Sequence, residues 1–316
     1  DVGKPHGRLD RMFHVTKRVF EEAKLLDADI YHFHDPELIP IGIKLKKLSK
    51  NVIFDSHEDY PKQMIHKPYL GKISLWLIAN GVGLYEKWAC KRFDAVIAAT
   101  PFIRDKFLSI NSNSVDVNNF PMLGEFAAYT NDWSEKRKEV CYVGAMGVVR
   151  GIKEIVQAMV RVKSGTRLQL GGQFKLKSFE EEIRVLSGWK NVDGLGWLDR
   201  EGVRDVLDRS MAGLVILHPV IHYLDALPVK MFEYMSAGLP VIASNFPLWR
   251  EIIEGNDCGL CVDPMDTGEI AEAIDFLVNN PVRAQQMGEN GKKAVQEFYN
   301  WSTEEQKLIN LYQGLI

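Results

Sequence analysis

The sequence predicts an α/β protein built from two domains with parallel sheets, and three observations predict it. Short apolar runs alternate with amphipathic helical stretches along the chain, which is the pattern of βαβ units. Several of those runs end in polar or ionisable residues, as in YHFHD, VIFDSHED and VIAAT. Open parallel sheets present ligand-binding groups at such carboxyl ends. The length of 316 residues fits two domains of ordinary size, at ~150 residues each.

Composition excludes other classes. With 46% hydrophobic and 26% charged residues, the chain has ordinary globular usage, outside the range of disordered or coiled-coil sequences. Its 39 Lys+Arg against 42 Asp+Glu leave a net charge of −3, without the basic field that nucleic-acid binding requires. No nucleic-acid partner is expected. The charge-free apolar stretch from Ile73 to Tyr85 is shorter than the ~20 residues of a membrane-spanning helix. Four cysteines (Cys90, Cys141, Cys258, Cys261) are too few for a disulfide scaffold and suit a reducing, cytoplasmic setting.

In chain order, Phe13, Val15, Val19, Phe20, Ala23 and Leu26 recur at three- and four-residue spacings and predict a helix over 10–26. Ile30, Tyr31 and Phe33 predict a strand ending at His34-Asp35, and the helical IGIKLKKLSK leads to a second strand in NVIFDSHED. DAVIAAT, 94–100, is a third strand, closed by a Thr-Pro turn that starts a helix, and 114–117 is a fourth candidate. His34, His57 and Thr100 would share one rim. The first domain is placed at 1–125 and a polar linker at 126–138. The second domain, 139–301, has strands at EVCYVG, RLQLG, near Val192, AGLVIL, LPVIAS and GLCV. Helices are expected at 151–163, 178–187, 201–209, 229–237 and about 248–254. A last helix, 302–316, should open with Ser302 as N-cap and Glu305 three residues on, and pack back on the first domain.

Two stretches carry the chemistry. In YVGAMGVVRGIKEIVQAM a strand delivers Gly144, a flexible turn contains Gly147, and Arg150-Gly151 is expected to open a helix. Helix N–H groups with an arginine fork form an anion site, and glycines let backbone approach a diphosphate. Such turns are also generic α/β connections. In YLDALPVKMFEYMSAGLPVIAS, Asp225 and Glu233 stand eight apart and Pro228 suits the first turn of a helix. The loop Ala226-Leu227-Pro228 and the helix amino end would offer N–H groups to a second face of an anion. An inward Glu233 could accept hydrogen bonds from sugar hydroxyls.

This pattern resembles the retaining glycosyltransferases of family 4, which have the GT-B fold of two Rossmann-like domains facing a cleft. The match runs from HFHDPELIP through DSHEDYP, GLGWL and FEYMSAGLPVIAS to NDCGLCVDP. The resemblance implies that Arg150 takes the place of the family's phosphate-binding Lys, while Ala145 stands where the family usually has an Arg. It implies that Asp225 and Glu233 are the donor-binding carboxylate pair, the first one methylene shorter than the family's Glu. His57 matches the cleft histidine near the reaction centre. Gly171, Gly172, Gly196 and Trp197 match segments beside the nucleoside, and His34, Glu58 and Asp59 fall on the acceptor side.

The implied donor is a nucleotide-diphosphate sugar, with a UDP-sugar favoured. The implied acceptor is a glycan or lipid-linked hydroxyl in bacterial surface-polysaccharide synthesis. No cofactor and no metal are expected, because protein groups would supply the positive charge. The family's first strands would precede residue 1, since the first domain offers only about four strand candidates. Two alternatives stay open: a non-catalytic, degenerate nucleotide-sugar-binding homologue, and a nucleotide-sugar 2-epimerase.

Simpler roles stand beside these. His32 alternates with Tyr31 and Phe33 along a strand and is expected to be a satisfied structural histidine. With His34, Asp35 and Glu37 it could mimic a metal cluster, though a second ligand group is lacking. Cys258-x-x-Cys261 has no partner pair, and Asp27-x-Asp29 precedes its strand instead of following it. The stretch 72–92, with Trp76, Leu77, Ile78, Leu84, Tyr85 and Trp88, reads either as a helix packed on its own domain or as a membrane-surface face.

Overall fold

The computed structural model describes residues 2–4, 6–65, 71–124 and 132–316. Residues 126–131 of the linker expected at 126–138 lie outside the described residues. The chain divides into two compact units, Asp1–Asn119 with Glu304–Ile316, and Phe120–Thr303.

In the first unit, α1 (Arg8–Asp10) continues through a wide turn, Arg11–Val15, into α2 (Thr16–Leu26). Strand β1 (Ile30–Phe33), α3 (Ile39–Lys47), β2 (Asn51–Ser56), α4 (Tyr60–Ile65), α5 (Lys72–Cys90), β3 (Ala95–Ala98), α6 (Pro101–Leu108) and β4 (Ser114–Asp116) follow. The strands pair in parallel in the order β1-β2-β3-β4. Strand β3 is buried along its whole length because both sheet faces are covered, which is why it reads as an unbroken apolar run. One face packs Phe33, Val52, Phe54, Phe93, Val96 and Phe107 under the helices.

The other face, with Ile53, Ala95 and Ile97, is covered by Leu308, Leu311 and Tyr312 of the chain's last helix, α15 (Trp301–Gln313), and by Leu315 just after it. Polar contacts fix this packing. The Asn118 N–H donates to Glu304 at 2.9 Å, and Lys307 lies 2.9 Å from Glu304 and 3.1 Å from Asp116. The helix opens two residues earlier than the expected capping box. Asn300, not Ser302, supplies the capping oxygen, which accepts the Thr303 N–H at 3.2 Å. Glu304 rather than Glu305 turns inward.

The second unit begins with β5 (Glu139–Val143), a short 3-10 turn Val148–Arg150, α7 (Ile152–Ala158) and β6 (Arg167–Gly171). It continues through α8 (Lys177–Arg184), β7 (Val192–Gly196), α9 (Arg200–Arg209), β8 (Ala212–Val215), α10 (Ile221–Leu224) and α11 (Val229–Ser236). Then come β9 (Val241–Ser244), α12 (Pro247–Ile253), β10 (Gly259–Val262), α13 (Thr267–Asn279) and α14 (Pro281–Glu297). All six strands are parallel, in the order β10-β9-β8-β5-β6-β7. From β5 the chain winds outward through β6 and β7, then returns to build β8, β9 and β10 on the other side. The order therefore reverses between β5 and β8, and a doubly wound sheet opens a crevice at that point.

Two expectations need correction. The helix expected over 151–163 ends at Ala158 and gives way to turns around Gly165. The pair α13–α14 was missed. Its first helix is capped by Asp266, which accepts the Gly268 and Glu269 N–H groups, and Pro281 starts the second. Asp266 with Glu269 three residues on was a legible cap signal.

Glu304 is 2% exposed, so removing it strands the Asn118 N–H and leaves Lys307 with Asp116 as its one remaining carboxylate among the described residues. Glu304→Ala should lower unfolding stability by about 2–3 kcal/mol, read from urea midpoints. A change under about 0.5 kcal/mol would show that α15 is held by its apolar face alone.

Candidate functional site

The carboxyl ends of β5 and β6 meet backbone to backbone. The Gly144 N–H donates to Gly171 O at 2.9 Å, the Gly172 N–H to Gly196 O at 2.6 Å, and the Met146 N–H to Gln173 O at 2.9 Å. Gly144 and Gly172 hold φ of +136° and +134°, and a Cβ on Gly172 would lie 2.0 Å from Gly144 O. Only glycine adopts this conformation at this separation. The result is a shallow depression of about 400 Å3 lined by Gly144, Ala145, Gly172, Gln173, Lys175 and Trp197. A neighbouring one of about 350 Å3 shares Gly172 and Trp197 and reaches Gly196. Trp197 is 70% exposed, so a large aromatic face stands free at the end of β7.

Arg150 closes the turn that leaves β5. It does not open a helix directly, as the sequence suggested. Gly151 intervenes in the left-handed region at φ +65°, and its missing Cβ makes room for Ile216 O, which that atom would meet at 2.0 Å. The Arg150 turn is thereby pressed onto the end of β8, at the switch point, and the His218 N–H donates to Val149 O at 3.1 Å. Gly147 is extended with open space around it. Among the described residues, no carboxylate pairs with Arg150. Its close neighbour is Tyr142, whose hydroxyl donates to Ala145 O at 2.9 Å and whose ionisation burial pushes up to about 12.

Helix α11 brings the other side chains. It is locked onto the sheet by Tyr234, whose ring fills the space a Gly213 side chain would take and whose hydroxyl accepts the Val143 N–H at 2.9 Å. Pro228 occupies the N-cap position, one residue before the helix and not in its first turn. The loop of Asp225, Ala226 and Leu227 is pinned by Trp249, whose indole N–H donates to Ala226 O at 2.7 Å. Asp225 terminates α10, and Glu233 lies half-buried inside α11.

The residue that sequence reasoning missed is Lys230. Its Nζ would stand 2.9 Å from a Cβ on Gly144 and lies 3.7 Å from the centroid of the Tyr142 ring. The atom is buried and has no hydrogen-bond partner among the described residues. Burial first, and then the Arg150 charge, push its ionisation down to about 7, against the pull of Glu233 and Cys141.

The first unit carries the remaining candidates on the ends of β1 and β2. Nδ1 of His34 lies 3.0 Å from Nε2 of His57 and 3.1 Å from Asp55. His32 is satisfied on both nitrogens, 2.6 Å from the Tyr312 hydroxyl and 3.3 Å from Asp55. Ligand atoms of His32, His34 and Asp55 fall within 4.8 Å of one another, a donor set able to hold a divalent ion. Asp35 and Glu37, the partners considered from sequence, instead pair with Arg11.

Glu58 is exposed and bonds Gln63. Asp59 pairs with Lys106 at 3.0 Å, which also holds buried Glu86 at 2.6 Å. Thr100 caps α6 by accepting the Ile103 N–H at 3.3 Å. Cys258 and Cys261 are free thiols, both pushed up to about 12 by burial.

The glycine geometry is testable by stability alone. Gly172→Ala should cost more than about 2 kcal/mol. Gly147→Ala, in open space, should cost under about 1 kcal/mol. Equal thermal shifts for the two would refute the close approach of Gly172 to Gly144.

Comparison with known proteins agrees with this architecture. Residues 128–294 match the family described as Glycosyl transferases group 1, and residues 2–117 match Glycosyltransferase Family 4. Glycogen synthase of Mycobacterium tuberculosis is 23% identical over 76% of this chain, but the match spans only 59% of that relative's length. Phosphatidyl-myo-inositol mannosyltransferase of Mycobacterium leprae is 22% identical over 91% of this chain and 74% of its own. The structure of Anabaena HepE in complex with UDP-glucose superposes with a TM-score of 0.75 at 14% identity, covering 98% of this chain and 84% of that one. With more than half its length matched, the chain belongs to the glycosyl transferases group 1 family, and its two parallel-sheet units have the GT-B fold.

Proposed function

We propose that this chain transfers a sugar, with retention of configuration, from a nucleotide-diphosphate sugar to a hydroxyl of a glycan or lipid-linked acceptor. The observation that carries the reading is a glycine-floored depression at the ends of β5 and β6, with Arg150, which pairs with no carboxylate among the described residues, on the turn that leaves β5 toward β8. An anion fits there, because glycine backbone admits phosphate oxygens closely and Arg150 offers a planar fork. The free face of Trp197 and the depression at Gly172 and Gly196 suit the nucleoside. Glu233 is assigned to sugar or ribose hydroxyls, with Asp225 as its shorter companion. A UDP-sugar is favoured because HepE, with the same fold, is seen with UDP-glucose.

In the proposed reaction the bond between the anomeric carbon and the diphosphate oxygen breaks. The acceptor oxygen bonds to the same face of that carbon, and its proton passes to the departing diphosphate. Arg150 stabilises the charge that grows on the leaving group, where fixed positive groups contribute most. His57, with His34, Glu58 and Asp59 in the first unit, is assigned to the acceptor side. The mannosyltransferase relative, named for a phosphatidylinositol substrate, supports a lipid-linked acceptor, and bacterial surface-polysaccharide synthesis is the proposed setting.

Protein groups supply the positive charge in this reading, so turnover should be unchanged by EDTA. A loss restored by a divalent ion would contradict that part. Arg150→Ala should lower transfer by about a hundredfold or more with unaltered thermal stability. Near-normal transfer by the variant would refute the assignment.

Helix α5 bears on location. Leu75, Ala79, Glu86, Ala89 and Cys90 form its buried stripe, while Ile73, Trp76, Leu77, Leu84 and Trp88 are exposed. Among the described residues no helix is long and apolar enough to cross a membrane. Association along the surface of an anionic bilayer is the proposal. Co-sedimentation with phosphatidylglycerol vesicles should fall severalfold in the Trp76→Ser, Trp88→Ser double variant, and equal binding would remove the membrane role.

A further inference from the structure

Lys230 is an anomaly in the fold as it stands. A buried amine without a hydrogen-bond partner costs stability, and this one sits near the guanidinium of Arg150, which disfavours its charge. The groups around it are few. Beneath lies the Tyr142 ring of β5, beside it the Cα of Gly144, and in reach are Arg150 from the turn after β5, Glu233 from its own helix and Cys141 from β5. One carboxylate thus faces two cationic groups. Cys141 adds no charge at neutral pH, because burial pushes its thiol up to about 12. Among the described residues the place holds less negative charge than positive, and the glycine turn at Gly144 leaves the amine's neighbour without a side chain that could fill the gap.

We propose that Lys230 is the second cation of the donor site, and that it takes up a proton from solvent as the diphosphate binds between it and Arg150. This rests on the reading of the second unit as a nucleotide-sugar site and adds to it a residue and a linkage. The empty site keeps Lys230 largely as a neutral amine above pH 7, which lightens the cost of two neighbouring cations. The arriving anion reverses the balance, and the amine becomes an ammonium with hydrogen bonds to phosphate oxygens. Because the bound state holds one proton more, affinity should fall as pH rises through and above the ionisation of the empty site.

The test is calorimetric titration of the whole chain with UDP, with GDP and ADP in parallel, at pH 8.0 in two buffers of different ionisation enthalpy. At that pH the terminal phosphate is already fully ionised and free histidines are neutral. The expected result is uptake of more than about half a proton per nucleotide bound, and affinity falling by up to about tenfold per pH unit between pH 8 and 9. Lys230→Met replaces an unpartnered amine with an apolar chain of similar length and should fold at least as stably. It should bind more than about tenfold more weakly at pH 7 and take up no proton.

Wild-type binding without proton uptake would overturn the proposal while leaving the donor site in place, and this count does not depend on any variant folding. Unchanged affinity and uptake in Lys230→Met would do the same. Binding of none of the three nucleotides by the wild type would overturn the donor-site reading itself, and this inference with it.

Discussion

The close approach of Gly172 to Gly144 is the constraint on which the rest of the second unit depends. Two neighbouring strand ends meet there without a Cβ between them, since one on Gly172 would fall 2.0 Å from Gly144 O. Gly151 repeats the device on the other side of β5, against Ile216 O. Together they leave bare backbone on both sides of β5, toward β6 at Gly172 and, at Gly151, toward β8, where the strand order reverses. A crevice of this kind follows from the doubly wound topology. Its chemistry follows from the absence of side chains, which lets a bulky anion come within hydrogen-bond distance of protein cations.

Charge is arranged around that floor at a cost. Lys230 is buried without a hydrogen-bond partner and Arg150 has no carboxylate partner among the described residues, so the empty site holds two basic side chains beside a single nearby carboxylate, Glu233. Such groups destabilise a fold unless something binds them. Helix α11 holds its lysine there because Tyr234 is wedged over Gly213 and bonded to the Val143 N–H, so the amine cannot swing out by moving the helix. The first unit shows the opposite economy. Lys106 is saturated by Glu86 and Asp59, and Lys307 by Glu304 and Asp116.

The strands were legible in the sequence because parallel sheets covered on both faces demand unbroken apolar runs, as in AVIA, AGLV and VIAS. The glycine turn and Arg150 were legible only together with the second motif around Asp225 and Glu233, because glycine-rich turns between a strand and a helix are also generic connections in α/β proteins. Capping was less so. Asn300 and Ser302 are both good N-cap residues, and only the inward turn of Glu304 selects the first. Lys230 could not be recognised as special. On a helix a lysine ordinarily points to water, and nothing local signals that the facing residue is a glycine whose backbone leaves the amine enclosed. The resemblance placed Asp59 on the acceptor side, and its engagement by Lys106 depends on a residue 47 positions away.

The account's central claim is that the second unit binds a nucleoside diphosphate on the glycine floor. Hydrogen–deuterium exchange of the whole chain, with and without UDP-glucose, tests it most directly. The account predicts protection concentrated in 144–151, 172–175 and 225–231, the three segments that form the floor and carry its cations. Protection elsewhere, or none at a saturating concentration, would contradict it.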